Sequence, residues 1–235
     1  MTNPTMRSKF ILTIGRARSS LGQFTWDNAL LWRFLRGAHP LADLEGPEYL
    51  PWAPFRETDL ATKEEQRTGK TLLLIGAVRD RESSAPIAGA VLDAWQTDAI
   101  IGDYDWHGYS LRGKFRAAPD GTYTIRTVLP APYKFDGRPV RINQALRGVP
   151  HWLIAKLTGF DIGRTRPSHI HFTVSAPGYQ SLTTQIYFDP LRELTPHDFV
   201  NTFRRPRERL NVELKPGAAH GADFVASFDF PLDRA

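Results

Sequence analysis

The chain has 235 residues, enough for one large domain or two small ones, and its 11% aromatic and 23% charged side chains are ordinary values for a folded protein. It contains no cysteine, which excludes disulfides, thiolate zinc sites, iron–sulfur clusters and a cysteine nucleophile and leaves nitrogen and oxygen as metal donors. The net charge of +5 is scattered rather than gathered into an aromatic-interleaved basic tract, so a small anionic substrate is a better expectation than nucleic acid.

Met1 to Phe10 lacks an apolar core of signal-peptide length, and no run approaches a membrane span, so a cytoplasmic location is expected. Trp26, Leu30, Leu31, Phe34 and Leu35 are spaced for one amphipathic helix over Trp26–Arg36, ended by Gly37 and Pro40. Beyond it, Gly and Pro punctuate short β-rich runs. These predict strands at Thr71–Arg79, Gly89–Gln96, Thr122–Leu129, His169–Ala176, Thr183–Phe188 and Asp223–Leu232. The last alternates, with Phe224, Ala226, Phe228 and Phe230 on one face. Many short strands and few helices predict a mainly β protein with an antiparallel β-sandwich core. The expected organisation is an N-terminal arm, 1–70, with one short helix, packed on a sandwich, 71–235. The segment 134–165 breaks the strand rhythm and reads as an irregular or helical insertion, with a helical stretch at Ile142–Leu157. Lys134, Arg138, Arg141, Arg147, Lys156 and Arg164 against Asp136 and Asp161 give it a net charge of +4.

The chemistry concentrates in Arg166-Pro167-Ser168-His169-Ile170-His171-Phe172. In a strand, His169 and His171 point to one side and Ile170 to the other. Two imidazoles on one face can hold a metal ion, or can simply be two satisfied histidines. His39, His107, His151, His197 and His220 show no ligand-like spacing and read as surface or loop residues. Two histidines with a carboxylate commonly bind ferrous iron, yet no acidic residue adjoins this pair. Tyrosine is the other oxygen donor. Tyr104 lies in Gly102-Asp103-Tyr104-Asp105, and Tyr133 follows Pro130-Ala131-Pro132, where the prolines stiffen the chain. Taken alone, each tyrosine reads more readily as a ring packed at a core edge than as a ligand.

Four segments in order resemble the intradiol ring-cleavage dioxygenases, the family of the catechol, hydroxyquinol and protocatechuate dioxygenases. They are Trp95-Gln96 with Gly102-Asp103-Tyr104-Asp105, Gly121-Thr122-Tyr123 through Arg126-Thr127-Val128-Leu129-Pro130-Ala131-Pro132-Tyr133, the Arg166–Phe172 segment, and Leu182–Phe188. Glu45-Gly46-Pro47-Glu48-Tyr49 is similar to the segment that precedes that family's sandwich. The resemblance covers residues 45–133 and 165–190. It implies one non-haem Fe(III) per chain, with Tyr104 and Tyr133 as phenolate ligands and His169 and His171 as imidazole ligands. By the same likeness Tyr133 and His171 are axial, and Tyr104 and His169 are equatorial. Arg166 matches the arginine that steadies charge on the substrate ring, and Gln185 a glutamine of the pocket. Tyr49 and Tyr109 are expected to face the substrate, with Trp106 nearby. The implied reaction uses O₂ to open a catechol between its hydroxyl-bearing carbons and gives a muconate-type diacid, with Tyr133 also serving as a base.

Two departures stand beside the likeness. The gap from Tyr133 to His169 is long because of segment 134–165, whose charge favours a catechol with an anionic or bulky substituent. The N-terminal region is short, which leaves monomer, homodimer and higher homo-oligomer open. Two rivals remain: a non-enzymatic, transthyretin-like β-sandwich binding module, and a zinc or ferrous hydrolase built on the histidines and a distant carboxylate. Neither nucleic acid nor membrane is an expected partner.

Overall fold

A computed structural model describes residues 39–43, 45, 48–105, 108–134, 165–188 and 207–235. The expected helix at Trp26–Arg36, the body of the insertion with Ile142–Leu157, and Trp106, His107, His151 and His197 lie outside the described residues.

The described residues form two stacked sheets. One is the antiparallel sheet β3-β2-β7-β8, made of β2 (Val91–Gln96), β3 (Arg112–Arg116), β7 (His169–Ser175) and β8 (Leu182–Tyr187). The other is built around β1 (Thr71–Asp80). On one side β1 pairs antiparallel with β4 (Thr122–Val128). On its other side it pairs in parallel with β10 (Phe224–Ser227) and then with β11 (Phe230–Leu232). A short strand, β9 (Lys215–Pro216), extends β10. This sheet is therefore mixed, whereas the sequence pattern predicts an antiparallel one.

Alternation explains the core. On β7, Ile170, Phe172 and Val174 are buried in the same apolar cluster as Leu92 and Ala94 of β2, Leu72, Leu74 and Val78 of β1, and Phe230 and Leu232 of β11. Truncating one such aromatic, Phe172, to alanine would cost about 3–5 kcal/mol. The predicted single strand Asp223–Leu232 is in fact two. After Phe228 N–H donates to Ile75 O, Ala77 N–H donates to the Asp229 carboxylate instead of a strand carbonyl, and the ladder breaks there.

A short helix, α1 (Lys63–Thr68), precedes β1. It has no buried residue and is set by a capping box in which Thr62 and Glu65 cap each other's backbone N–H groups. Last, β5 (Tyr133–Lys134) pairs with β6 (Thr165–Arg166), Tyr133 opposite Arg166 and Lys134 opposite Thr165. The insertion therefore leaves and re-enters the sandwich at one place. Among the described residues, no helix is long and apolar enough to cross a membrane.

Candidate active site

The face of the four-stranded sheet turned away from the core carries the candidate residues. Strand register places them in a row: Arg112 of β3 is opposite Trp95 of β2, Trp95 opposite His171 of β7, and His171 opposite Gln185 of β8. Directly opposed residues share a face, so the four side chains stand side by side. His169 and Tyr187 form the next rung. All six are buried.

His171 is sandwiched closely. Trp95 stacks on it at 5.0 Å between ring centroids and 16° between planes, and His169 meets it edge-on at 4.9 Å. The Tyr104 ring approaches the His171 ring edge-on at 6.5 Å. His169 Nδ1 lies 2.7 Å from Pro167 O. A carbonyl only accepts, so Nδ1 carries the proton and Nε2 of the neutral ring keeps its lone pair for a ligand role.

The loop bearing Tyr104 is held by side chains. Asp98 accepts from the N–H groups of Ile100, Ile101 and Asp103 at 2.6–2.8 Å, and Gly102 supplies the positive φ of the turn. Burial works against the Asp98 carboxylate, but those N–H groups outweigh it and hold it below its usual range. Two contacts stitch this loop to the one leading to Tyr133. Ala131 N–H donates to Asp98 O at 2.9 Å, and the Gln96 amide donates to Val128 O at 2.9 Å. Ser110 and Glu65 are hydrogen-bonded, which fastens α1 to the far end of the loop. Just before Arg112 the chain passes through Leu111 at φ 53°, a strained conformation for a leucine.

Arg166 is buried, and its Nη2 donates to Gln185 Oε1 at 2.9 Å. The Tyr187 hydroxyl lies 3.1 Å from the same oxygen and 3.2 Å from the buried Asp43 carboxylate. Glu48 is buried as well; burial raises its carboxyl despite the opposing charges of Arg166 and Arg112. The Tyr49 hydroxyl donates to Asp93 Oδ2 at 3.1 Å, and its ring lies 4.9 Å from Trp95. The Tyr109 hydroxyl donates to Pro51 O at 3.0 Å. Both tyrosines thus fix the 48–56 strap across the sheet, with their hydroxyls engaged by protein groups.

The structure gathers Tyr104, His169, His171, Arg166, Gln185 and Tyr49 around one face. Tyr133 enters through its backbone, beside Arg166. Sequence reasoning gave no role to Trp95, Arg112, Asp93 or Tyr187. Trp95 stands in a quoted motif, but only strand pairing shows that it covers His171. Arg112 begins a run of Arg-Gly-Lys-Phe-Arg that carries no strand signal of its own.

Residues 44–234 match the family model described as Dioxygenase. The chain belongs to the intradiol ring-cleavage dioxygenase family. The dioxygenase-family chain is 34% identical over 179 residues to the intradiol ring-cleavage dioxygenase prcA of Aspergillus niger, covering 73% of this chain and 51% of that protein. It is 34% identical over 159 residues to the chlorocatechol 1,2-dioxygenase of Pseudomonas sp. strain P51, covering 66% and 57%. The chain thus spans about half the length of the curated relatives it matches. The crystal structure of 3-chlorocatechol 1,2-dioxygenase from Rhodococcus opacus 1CP is similar over 98% of this chain and 88% of that one, with a TM-score of 0.68 and 26% identity.

The donor set of this dioxygenase-family site can be tested against the family's iron. Among the described residues no three His, Cys, Asp or Glu side chains gather as a metal site. The oxygen donor that the described residues place beside the two imidazoles is the Tyr104 phenol. Two buried imidazoles, one of fixed tautomer, beside a buried phenol suit a hard trivalent ion that accepts nitrogen and anionic oxygen. The residues fit the group.

Proposed function

We propose that the chain is an Fe(III)-dependent intradiol dioxygenase that cleaves a catechol between its hydroxylated carbons, using O₂, to a muconate-type diacid. Family membership supports the reaction class. The observation that carries the reading is the convergence of Tyr104, His169 and His171 on one buried face, with Arg166 and Gln185 joined beside them. In this proposal Tyr104, Tyr133, His169 and His171 hold the ion. Bound there, Fe(III) would draw the protons from the phenols and bind the catechol as its dianion, making the ring electron-rich enough for O₂.

The chain's own residues do the rest. The Pro167 carbonyl fixes His169 with Nε2 available to the ion. Trp95 and Tyr49 wall the site with aromatic surface and exclude water from one side of His171. Arg166, buried and oriented by Gln185, presents positive charge to the ring and stabilises carbanion character that develops there. The Tyr133 oxygen is the proposed acceptor of one catechol proton, a general-base role. The substrate proposed is a catechol with an anionic or bulky substituent. The +4 charge of segment 134–165, whose ends meet beside Tyr133 and Arg166, supports it. So do relatives named chlorocatechol 1,2-dioxygenase.

The test is direct. Protein loaded with Fe(III) should be burgundy, absorb visible light through tyrosinate, and consume one O₂ per diacid formed. Carboxylated or chlorinated catechols should give a higher kcat/KM than catechol itself. Colourless iron-loaded protein without O₂ uptake on any catechol would overturn the reading.

A further inference from the structure

We propose that Arg112 is a positioning residue for Tyr104 and the counter-charge of its phenolate. The inference rests on the iron–tyrosinate reading of the site. Arg112 is 1% exposed, yet it takes part in none of the ion pairs formed among the described residues. Its Nη1 donates to Glu48 O at 2.6 Å and its Nη2 makes a longer contact of 3.4 Å to Asp105 O. Its Nε is buried without a hydrogen bond. A guanidinium taken out of water into such a setting is costly unless an anion compensates it.

The compensating group stands on the ring face. The guanidinium carbon lies 5.4 Å from the Tyr104 ring centroid. A neutral phenol offers a cation only its quadrupole, whereas a phenolate spreads a full negative charge over the ring. The same two backbone acceptors, Glu48 O and Asp105 O, fix the cation between the strap and the Tyr104 loop. Arg112 thus holds a positive charge at a set distance from the Tyr104 ring. It also stands in the register row that contains His171.

A positive charge beside a phenolate lowers the energy of its donor electrons, so the tyrosinate-to-iron absorption needs more energy. Removing the charge should move the visible band to longer wavelength, because the cation lies against the donor ring and stabilises it more than the acceptor. The experiment compares iron-loaded wild type, R112Q, R112M and R112K by visible absorption, with thermal midpoints of the metal-free proteins. R112Q and R112M should shift to the red while R112K stays near wild type, even if all three lose similar stability. R112Q, whose amide keeps a donor for Glu48 O, carries the test if R112M does not fold. Unmoved bands in the neutral variants, or an equal shift in R112K, would show that Arg112 only fastens backbone, and the proposal falls. A colourless wild type overturns the iron–tyrosinate reading and this inference with it; a coloured wild type with unmoved variants overturns this inference alone.

Discussion

Burial pushes the Asp93 carboxyl up to about 6, against the opposing effects of the Lys114 ammonium and the Tyr49 hydroxyl. In the unfolded chain the same group titrates near 3.8. Its folded value is the higher one, so the unfolded chain loses its proton first as pH rises. Stability present below about 4 is therefore lost as pH climbs through about 6. At 1.36 kcal/mol per pH unit the loss amounts to about 3 kcal/mol. D93N abolishes that titration, so its stability relative to wild type should rise by most of this amount between pH 4 and pH 8. Urea unfolding of both proteins at the two pH values measures it; parallel profiles would mean that Asp93 is solvated.

Arg166 belongs to the same scale. R166M removes the buried charge proposed to face the ring and leaves His169 and His171 in place. It should lower kcat by about 10²–10³, the cost of losing one preorganised electrostatic donor, with iron content per chain unchanged. Metal analysis beside steady-state kinetics separates this from a loss of iron. The histidine pair was readable from sequence because strand alternation is local. Tyr104 and Tyr133 became candidates only through a family likeness, since phenols at loop ends carry no periodic signal. The place of Arg112 was unreadable by either route, because the ring it covers lies 8 residues earlier and a loop brings the two together.

Elements show where local preference yields to packing. The predicted strands at Thr71–Arg79, Gly89–Gln96, Thr122–Leu129, His169–Ala176 and Thr183–Phe188 are present with ends moved by one or two residues. Arg112–Arg116 becomes a strand despite three basic residues, because β2 offers it a ladder on one side and the strap bonds its free edge through Arg56 N–H to Lys114 O and Lys114 N–H to Pro54 O. The Thr62–Glu65 capping box was present in the sequence, but a helix without a buried face has no apolar period to announce it. At Gly76, in mid-β1, an added Cβ would lie 1.8 Å from Phe228 O. G76A should therefore cost about 3 kcal/mol or more, because backbone must move. G89A meets nothing within 4 Å and bears only its positive φ of 67°, a cost of about 1 kcal/mol. Thermal unfolding of the two variants compares them, and equal losses would contradict the close approach of Phe228 to β1.

At the scale of the whole molecule, composition and turn spacing were enough for a sandwich, but pairing was not legible. Nothing local tells β1 to take parallel partners on one side and an antiparallel one on the other. Likewise the gap after Tyr133 looked like an interruption, and only the β5–β6 pair shows that its ends touch.

The closure of β1 sets an order of events during synthesis. Thr71 bonds Asp223 across 152 positions, and Leu72 and Leu74 meet β10 in the same region. At about 5–20 residues per second, a ribosome needs roughly 8–30 s between making the first partner and the second. Once β4 has been made β1 can pair with it, but its other edge stays open, with apolar side chains facing an unfinished core. The growing chain thus carries an exposed strand edge, the feature that recruits chaperones or neighbouring copies. Shielding of that edge until Phe224 to Leu232 emerges should therefore raise the yield in cells.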